Sequence, residues 1–186
     1  MAWREKQALL QKLNMVVGVF FSEVGDHLIG NLICALDNRD EIFDCLAVKQ
    51  SWSARDFKQA RLCAANVRIN AECKGVDLEK LRAFLIGKRG FLLRLLENPN
   101  LLEHEYFTDL MWAVFHLAEE LEARTDIKNL PESDREHLAI DIQRVYGSLV
   151  VEWVSYLEHL KNKYPFLFSL VLRTHPFQAE PSPVVR

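Results

Sequence analysis

The sequence predicts an all-α protein, a single-domain bundle of six or seven helices in which the first and the sixth are the longest. Apolar residues recur with the spacing of amphipathic helices, and no segment shows the alternation of a half-buried strand. Only seven glycines and six prolines occur in 186 residues, which disfavours turn-rich sandwiches and barrels. A composition of 49% apolar and 26% charged residues is ordinary for a globular domain and excludes whole-chain disorder.

The first helix is predicted from about Trp3 to Leu36. Its apolar stripe consists of Leu9, Leu13, Val16, Val17, Phe20, Val24, Leu28 and Leu32. Glycines at positions 18, 25 and 30 predict close helix contacts or a kink near Gly25. No N-cap residue precedes the helix, so we expect it to continue a longer one. At roughly 50 Å it exceeds what a compact domain needs, and part of the stripe is expected to pair with another chain.

Capping and breaking signals bound the next three helices. A short helix is expected over 40–48, and Ser53 is suited to cap a following helix that reaches about residue 73. Gly75 is suited to end that helix in a left-handed conformation. Asp77 then caps a helix that reaches Leu96, where an Asn-Pro-Asn sequence breaks the chain.

The last three helices follow in the same way. The fifth is predicted over 102–124, and a capping box of Ser133 and Glu136 opens the sixth, which reaches Lys163. Pro165 is placed in the first turn of a short last helix that ends near residue 173. Residues 1–175 are therefore predicted to form the helical domain, and residues 176–186, with three prolines, an extended tail.

The cysteines and the N-terminal residues bear on the cellular compartment. Cys34, Cys45, Cys63 and Cys73 form no C-x-x-C pair, which excludes zinc knuckles, and we expect small, buried, reduced side chains. No signal peptide is visible, and the longest early apolar run, 15–21, is far shorter than the roughly 20 residues of a membrane span. The chain is predicted to be soluble and cytoplasmic.

Charge is unevenly distributed, although the formal net charge is only −3. Residues 51–98 hold ten basic and five acidic groups, whereas residues 99–143 hold three basic and eleven acidic groups. These segments are expected to be solvated faces or helices that pack against each other. The alternative is a patch for anionic lipid or nucleic acid, formed by Lys80, Arg82, Lys88, Arg89 and Arg94.

The residues most suited to metal chemistry lie on the fifth and sixth helices. His116 and Glu120 are four residues apart, as are His137 and Asp141, so each pair shares one helix face. If the helices are antiparallel neighbours, two imidazoles and two carboxylates could surround a divalent ion. The sequence favours another interpretation, because His116 follows Phe115 in an apolar run and is expected to be a hydrogen-bonded interior residue. We therefore predict no bound metal and no cofactor.

Other catalytic signatures are missing from the sequence. It contains no G-x-S-x-G elbow, and the segment 87–90, Gly-Lys-Arg-Gly, lacks the glycine and the Ser or Thr of a phosphate-binding loop. The residues support no specific enzyme.

Three stretches together resemble a known group of proteins. They are EKQALLQKLNM and FFSEVG at 5–15 and 20–25, FTDL and FHLAEEL at 107–110 and 115–121, and EW, YPFLFSL and RTHPF between 152 and 177. These stretches resemble an uncharacterised family of bacterial and archaeal proteins over nearly the whole chain. The resemblance implies membrane-spanning segments upstream of the first helix, and it implies no activity and no functional residue.

Together these observations predict a non-enzymatic cytoplasmic interaction or sensory module of a membrane-anchored protein. Its partner is expected to be another protein or a second copy bound through the first helix, with the membrane reached through upstream segments. Two alternatives are a metal-dependent enzyme with a site between the fifth and sixth helices, and a nucleic-acid-binding module, which the overall acidity disfavours.

Overall fold

A computed structural model describes the backbone of residues 2–101 and 104–185 and the side chains of residues 11–101 and 104–185. Within these ranges it contains no β-strand, and one isolated bridge joins Leu36 to Ile69. The helices are α1 (Ala2–Phe20), α2 (Asp26–Leu32), α3 (Arg39–Cys45), α4 (Ala54–Ala64), α5 (Leu78–Leu96), α6 (Glu105–Ala123), α7 (Glu132–Lys163) and α8 (Pro165–Thr174). Since α1 and α2 are continuous, the described ranges hold seven helical rods, and the all-α prediction is confirmed.

The first rod consists of α1, a π-helical turn at Phe21–Gly25, and α2, and a 3-10 turn at Ile33–Ala35 follows it. The long first helix is thus confirmed, and the π turn is the irregularity expected near Gly25. A Cβ on Gly25 would collide with the ring of Phe21. The buried stripe consists of Leu13, Val17, Phe20, Phe21, Val24, Leu28, Ile29 and Leu32. Leu9 lies outside the described side chains, and no described atom approaches Gly30 closely enough to require a glycine.

The length of the first rod differs from the prediction that no early apolar run is long enough to span a membrane. Gln11–Ala35 is long and apolar enough to do so by length and composition alone, because the helix continues past Gly18 and Gly25. Half of its most apolar window is buried inside the domain, where it packs against α7. A core helix passes the same test, so the observation is weak evidence for a membrane span.

Two of the three predicted N-caps are present. Ser53 Oγ accepts a hydrogen bond from the backbone N–H of Asp56 at 3.4 Å, and the Asp56 carboxylate accepts one from the Ser53 N–H at 2.6 Å. Asp77 caps α5 through its carboxylate. The predicted capping box at Ser133 is wrong, because α7 begins at Glu132, and Pro131 occupies the N-cap position two residues before Ser133. The predicted start of the fifth helix at residue 102 lies outside the described residues.

Helix α4 ends at Ala64, well before the predicted end near residue 73. The segment after it gives its backbone hydrogen bonds to side chains of other elements. Gln143 of α7 accepts from the N–H of Ile69 at 2.7 Å and donates to the carbonyl of Val67 at 2.8 Å. Asn38 makes two further hydrogen bonds to the same segment. These long-range partners satisfy the backbone without a helix.

Helix α7 lies at the centre of the bundle and confirms the long sixth helix. It packs against α1, α2, α4, α6 and α8, and α5 packs on the outer side of α6. Tyr146 and Trp153 are its largest fully buried side chains, and the Tyr146 hydroxyl donates to the carbonyl of Ile29 at 3.4 Å. One continuous apolar core therefore joins the first rod to the C-terminal half.

The prediction of buried, reduced cysteines is wrong for three of the four residues. Cys45 at the end of α3 and Cys63 in α4 form a disulfide, with their Cα atoms 6.5 Å apart. Cys34 is free and exposed, whereas Cys73 is free and buried. Because the spacings between the four cysteines contain no pairing signal, only the packing of α3 against α4 shows which thiols meet.

Residues 176–185 contain no helix or strand, but they do not extend away from the bundle. Phe177 is buried, with its ring centroid 5.2 Å from that of Trp153. Arg173 at the end of α8 donates a hydrogen bond to the carbonyl of Pro183 at 2.8 Å. The first part of this segment thus contributes to the core.

Candidate functional site

The four residues singled out for metal chemistry meet between α6 and α7, and we refer to His116, Glu120, His137 and Asp141 as the histidine–carboxylate cluster. The Nε2 atom of His116 lies 3.4 Å from Asp141 Oδ2 and 3.8 Å from Glu120 Oε1. The Nε2 atom of His137 lies 3.6 Å from the same Asp141 oxygen and 3.5 Å from Glu120 Oε2. Both imidazoles therefore face both carboxylates.

Asp141 is the buried member of the cluster, with its side chain only 3% exposed. Its Oδ1 atom accepts a hydrogen bond from Arg144 at 2.6 Å. Its Oδ2 atom is also buried, yet it accepts no hydrogen bond from any described residue. Buried carboxylate oxygens normally have a partner, so this atom marks the cluster as a site with an unmet requirement.

Arg124 fixes the geometry on the other side of the cluster. Its guanidinium donates to Glu120 at 2.7 Å and to both oxygens of Asp134 at 2.7 and 2.8 Å. These contacts join the end of α6 to the first turn of α7 across their short connection. The hydrogen bond from Arg124 lowers the pKa of Glu120 and also that of Asp134, so both groups are ionised at neutral pH.

The sequence correctly paired the residues within each helix, and the structure brings the two pairs together. The expected environment of His116 is wrong, because its side chain is 47% exposed rather than interior. Its neighbours Phe115 and Leu117 are buried, but successive helical residues point about 100° apart. His137 is similarly exposed, at 52%. The cluster thus offers imidazole nitrogens and carboxylate oxygens at an opening to solvent.

The predicted basic patch on α5 is largely engaged within the domain. Lys88 pairs with Glu23 at 2.8 Å, and Arg89 pairs with Glu122 of α6 at 2.9 Å. Arg82 donates to a backbone carbonyl at the end of α6 at 2.8 Å. Lys80 and Arg94 are exposed near the two ends of α5. The basic helix therefore packs against the acidic one, and these carboxylates would compete with a phosphate for the same cations.

An apolar groove lies between α1, α7 and α8, and we call it the α1–α8 groove. Its volume is about 630 Å³, compared with about 440 Å³ for an opening between α6 and α7. Met15 and Val19 of α1 are 63% and 50% exposed, and Phe166 of α8 is 72% exposed. Gly18 and Tyr156 lie beside them in the groove. The sequence singled out the apolar stripe of α1 but not the exposed apolar side chains of α8. Which residues of α8 are exposed depends on how this helix packs against α7.

Two ionisable groups that the sequence did not single out lie around Trp153, the half-buried Asp26 and the buried His175. Burial raises the pKa of Asp26 of α2 to about 6, and the neighbouring Trp153 partly opposes this rise. The ring centroid of His175 lies 5.5 Å from that of Trp153, and burial lowers the pKa of His175 to about 4. The available signal for Asp26 was an acidic residue inside the apolar stripe of the first helix.

Comparison with known proteins places the chain in a family. Residues 9–173 match the family described as "Uncharacterized protein MJ1433, C-terminal helical domain". The chain belongs to this family. It is 47% identical over 175 residues to the uncharacterised protein MJ1433 of Methanocaldococcus jannaschii, an alignment that covers 94% of this chain and 70% of that protein. No solved structure matches the chain.

Membership of the MJ1433 C-terminal helical domain family confirms the resemblance to an uncharacterised archaeal protein. It agrees with the all-α fold, since the family is itself described as a helical domain. The match assigns no activity, and membrane segments upstream of the domain stay a prediction.

Proposed function

We propose that this domain is an interaction module that associates with a second copy of itself through the α1–α8 groove. The observation that carries this proposal is the exposure of large apolar side chains on two adjoining helices. Met15 and Val19 are four residues apart on α1, and Phe166 and Leu170 are four residues apart on α8, so each pair presents one face. Contiguous apolar surface of this kind is typical of protein interaction sites.

The shape of the surface favours a second copy as the partner. A two-fold contact uses the same face on both subunits, so that face must contain both a protruding and a receiving part. Phe166 protrudes, and the groove beside Gly18 is the receiving part. A Cβ on Gly18 would lie 3.0 Å from the Tyr156 hydroxyl, so glycine lets the Tyr156 side chain pack closely against α1.

The charge of the groove supports the same partner. Glu23 is the one carboxylate among the described residues that line it, and its charge is compensated by Lys88 at 2.8 Å. His159 also lines the groove, and burial lowers its pKa, which favours the neutral imidazole. A surface with so little free charge is complementary to another apolar face, such as its own, rather than to a charged segment.

Sedimentation velocity over a concentration series tests the proposal. We expect the wild-type domain to dimerise in the micromolar range and Phe166→Ser to shift it to monomer, because the substitution removes an aromatic anchor. Trp112→Ser is the matched control, since Trp112 is 61% exposed on α6, outside the groove, and its replacement should leave the dimer intact. A wild-type protein that is monomeric at high micromolar concentration would contradict the proposal.

We also propose that the module works on the cytoplasmic side of a membrane to which upstream segments anchor it. The alignment leaves 30% of the M. jannaschii protein uncovered, which supports the presence of additional sequence in members of the family. Many apolar side chains of the first rod are buried in the bundle core, so the membrane-spanning segment would lie elsewhere in the protein. Fractionation of cells that express the natural open reading frame tests this proposal, and recovery of the whole protein in the soluble fraction would count against it.

A further inference from the structure

We propose that the histidine–carboxylate cluster binds one divalent transition-metal ion between α6 and α7, with His116, His137, Glu120 and Asp141 as ligands. This proposal reverses the interpretation from the sequence, which depends on a buried His116. Three observations carry it: the spacing of the ligand atoms, the unpartnered oxygen of Asp141, and the balance of charge around the cluster.

His116, Glu120 and Asp141 each offer a ligand atom within 4.8 Å of the other two, and His137 lies beside this group, facing both carboxylates. Zinc lies about 2.0–2.1 Å from histidine nitrogens and carboxylate oxygens, so two ligand atoms in tetrahedral arrangement are about 3.3 Å apart. The four imidazole-to-carboxylate distances are 3.4, 3.5, 3.6 and 3.8 Å. Contraction by a few tenths of an ångström around an ion would bring these nitrogen–oxygen pairs to the expected separation. His137, whose ligand atom lies outside the group of three, would move further to complete the site.

The buried oxygen points to the same occupant. Asp141 Oδ2 is within 3.6 Å of both imidazole Nε2 atoms, yet neither forms a hydrogen bond to it with acceptable geometry. A cation placed among these atoms would satisfy the oxygen and use the nitrogen lone pairs of both neutral imidazoles. Imidazole ligands favour transition metals such as zinc over magnesium and calcium, which prefer oxygen ligands alone.

The charged groups around the cluster come from both helices. Helix α6 contributes Glu120, with Arg124 at its C-terminal end, and α7 contributes Asp134, Asp141 and Arg144. With neutral imidazoles, three carboxylates and two guanidinium groups leave one net negative charge, which attracts a divalent cation. The two arginines also orient the carboxylates, as the outer partners of metal ligands commonly do.

The cluster is accessible without any rearrangement of the bundle. The side chains of His116 and His137 are about half exposed, whereas Asp141 is buried beneath them. An ion could therefore enter from solvent, and the same opening could accommodate a water ligand.

Titration of the chelator-treated full chain with ZnCl₂ by calorimetry tests the proposal. We expect one Zn²⁺ per chain, and elemental analysis after gel filtration should give the same stoichiometry. His116→Ala and His137→Ala should each weaken binding by at least about 100-fold, since losing an outer partner of a ligand already costs 10–100-fold. His27→Ala is the control, because His27 is exposed on α2 outside the cluster, and it should bind like the wild type.

Far-UV circular dichroism of each variant keeps the comparison interpretable, and the half-exposed histidines are expected to be replaceable without loss of helix. Absence of saturable binding by the folded wild-type chain would overturn the proposal. Retention of wild-type affinity by His116→Ala and His137→Ala would overturn it too, because the ion would then lie elsewhere. Tighter binding of Mg²⁺ than of Zn²⁺ would overturn the assignment to a transition metal.

Discussion

The buried carboxyl group of Asp26 provides a quantitative test of the described core. Asp26 lies on α2 beside Trp153, its Oδ1 atom has no hydrogen-bond partner among the described residues, and burial raises its pKa from 3.8 to about 6. At about 1.4 kcal/mol for each pH unit, this rise corresponds to about 3 kcal/mol of differential stability. The folded state binds a proton more tightly than the unfolded state, so this group lowers stability as the pH rises from about 4 to 6.

We therefore expect Asp26→Asn to be more stable than the wild type by up to about 3 kcal/mol at pH 7, and to differ little from it below pH 4. The amide is neutral, so it avoids the cost of burying a charge. Urea unfolding of both proteins from pH 4 to 7 measures the difference. The two proteins are compared at each pH because His175 also affects stability in this range. Its pKa is lowered from 6.5 to about 4, so it raises the stability of both proteins as the pH rises from about 4 to 6.5.

Asp109→Asn is the matched control, since Asp109 is exposed on α6, and its effect should stay within about 0.5 kcal/mol at every pH. The reasoning is refuted if Asp26→Asn lowers the free energy of unfolding at pH 7, or if the difference between Asp26→Asn and wild type does not change between pH 4 and 6. Either result would mean that the carboxylate has a partner or solvent contact in the folded protein.

Three further substitutions or treatments test other parts of the fold, each by urea unfolding. Ser53→Ala removes one half of the capping box of α4 and should cost about 1 kcal/mol, and an unchanged midpoint would show that the cap does not matter. Gly75→Ala should cost about 1–3 kcal/mol, because Gly75 has a φ of 88° and a Cβ there would lie 2.8 Å from the carbonyl oxygen of Cys34; a neutral effect would contradict this loop geometry. Reduction of the disulfide between Cys45 and Cys63, which are 18 residues apart, should cost about 3 kcal/mol, and identical stability in oxidised and reduced protein would argue against the bond.

Local signals predicted most of the helical architecture. The first rod and α7 were predictable because a long periodic pattern of apolar residues identifies a helix even when its exact ends are uncertain. The N-caps at Ser53 and Asp77 predicted the first residues of α4 and α5 correctly. The end of α4 was not predictable in this way. Its position depends on Gln143 and Asn38, which take the hydrogen bonds of the following segment from positions far away in the chain. A local pattern contains no information about such partners.

The candidate site divides along the same line. The spacing of four residues predicted that His116 would share a face with Glu120, and this depends on helix geometry alone. Its burial could not be predicted from Phe115 and its other apolar neighbours, since adjacent residues face different directions. The relative height of α6 and α7 is fixed by Arg124, which donates hydrogen bonds to Glu120 of α6 and to Asp134 of α7. That contact exists only in the assembled bundle.

The π turn has a consequence for the direction in which the α1–α8 groove faces. From Phe20 to Leu32 the buried positions follow one another at intervals of four residues, and three such steps would drift about 120° around an unbroken α-helix. A π turn holds one residue more than an α turn and so takes back about 100° of that drift. If the same five residues Phe21–Gly25 formed an ordinary α-helical turn instead, Met15 and Val19 would rotate by about 100° relative to the core beneath Leu32. The π conformation of this one turn thus sets the direction in which the α1 side of the groove faces, and a deletion of one residue there would keep that direction by converting the turn to an α-helical one.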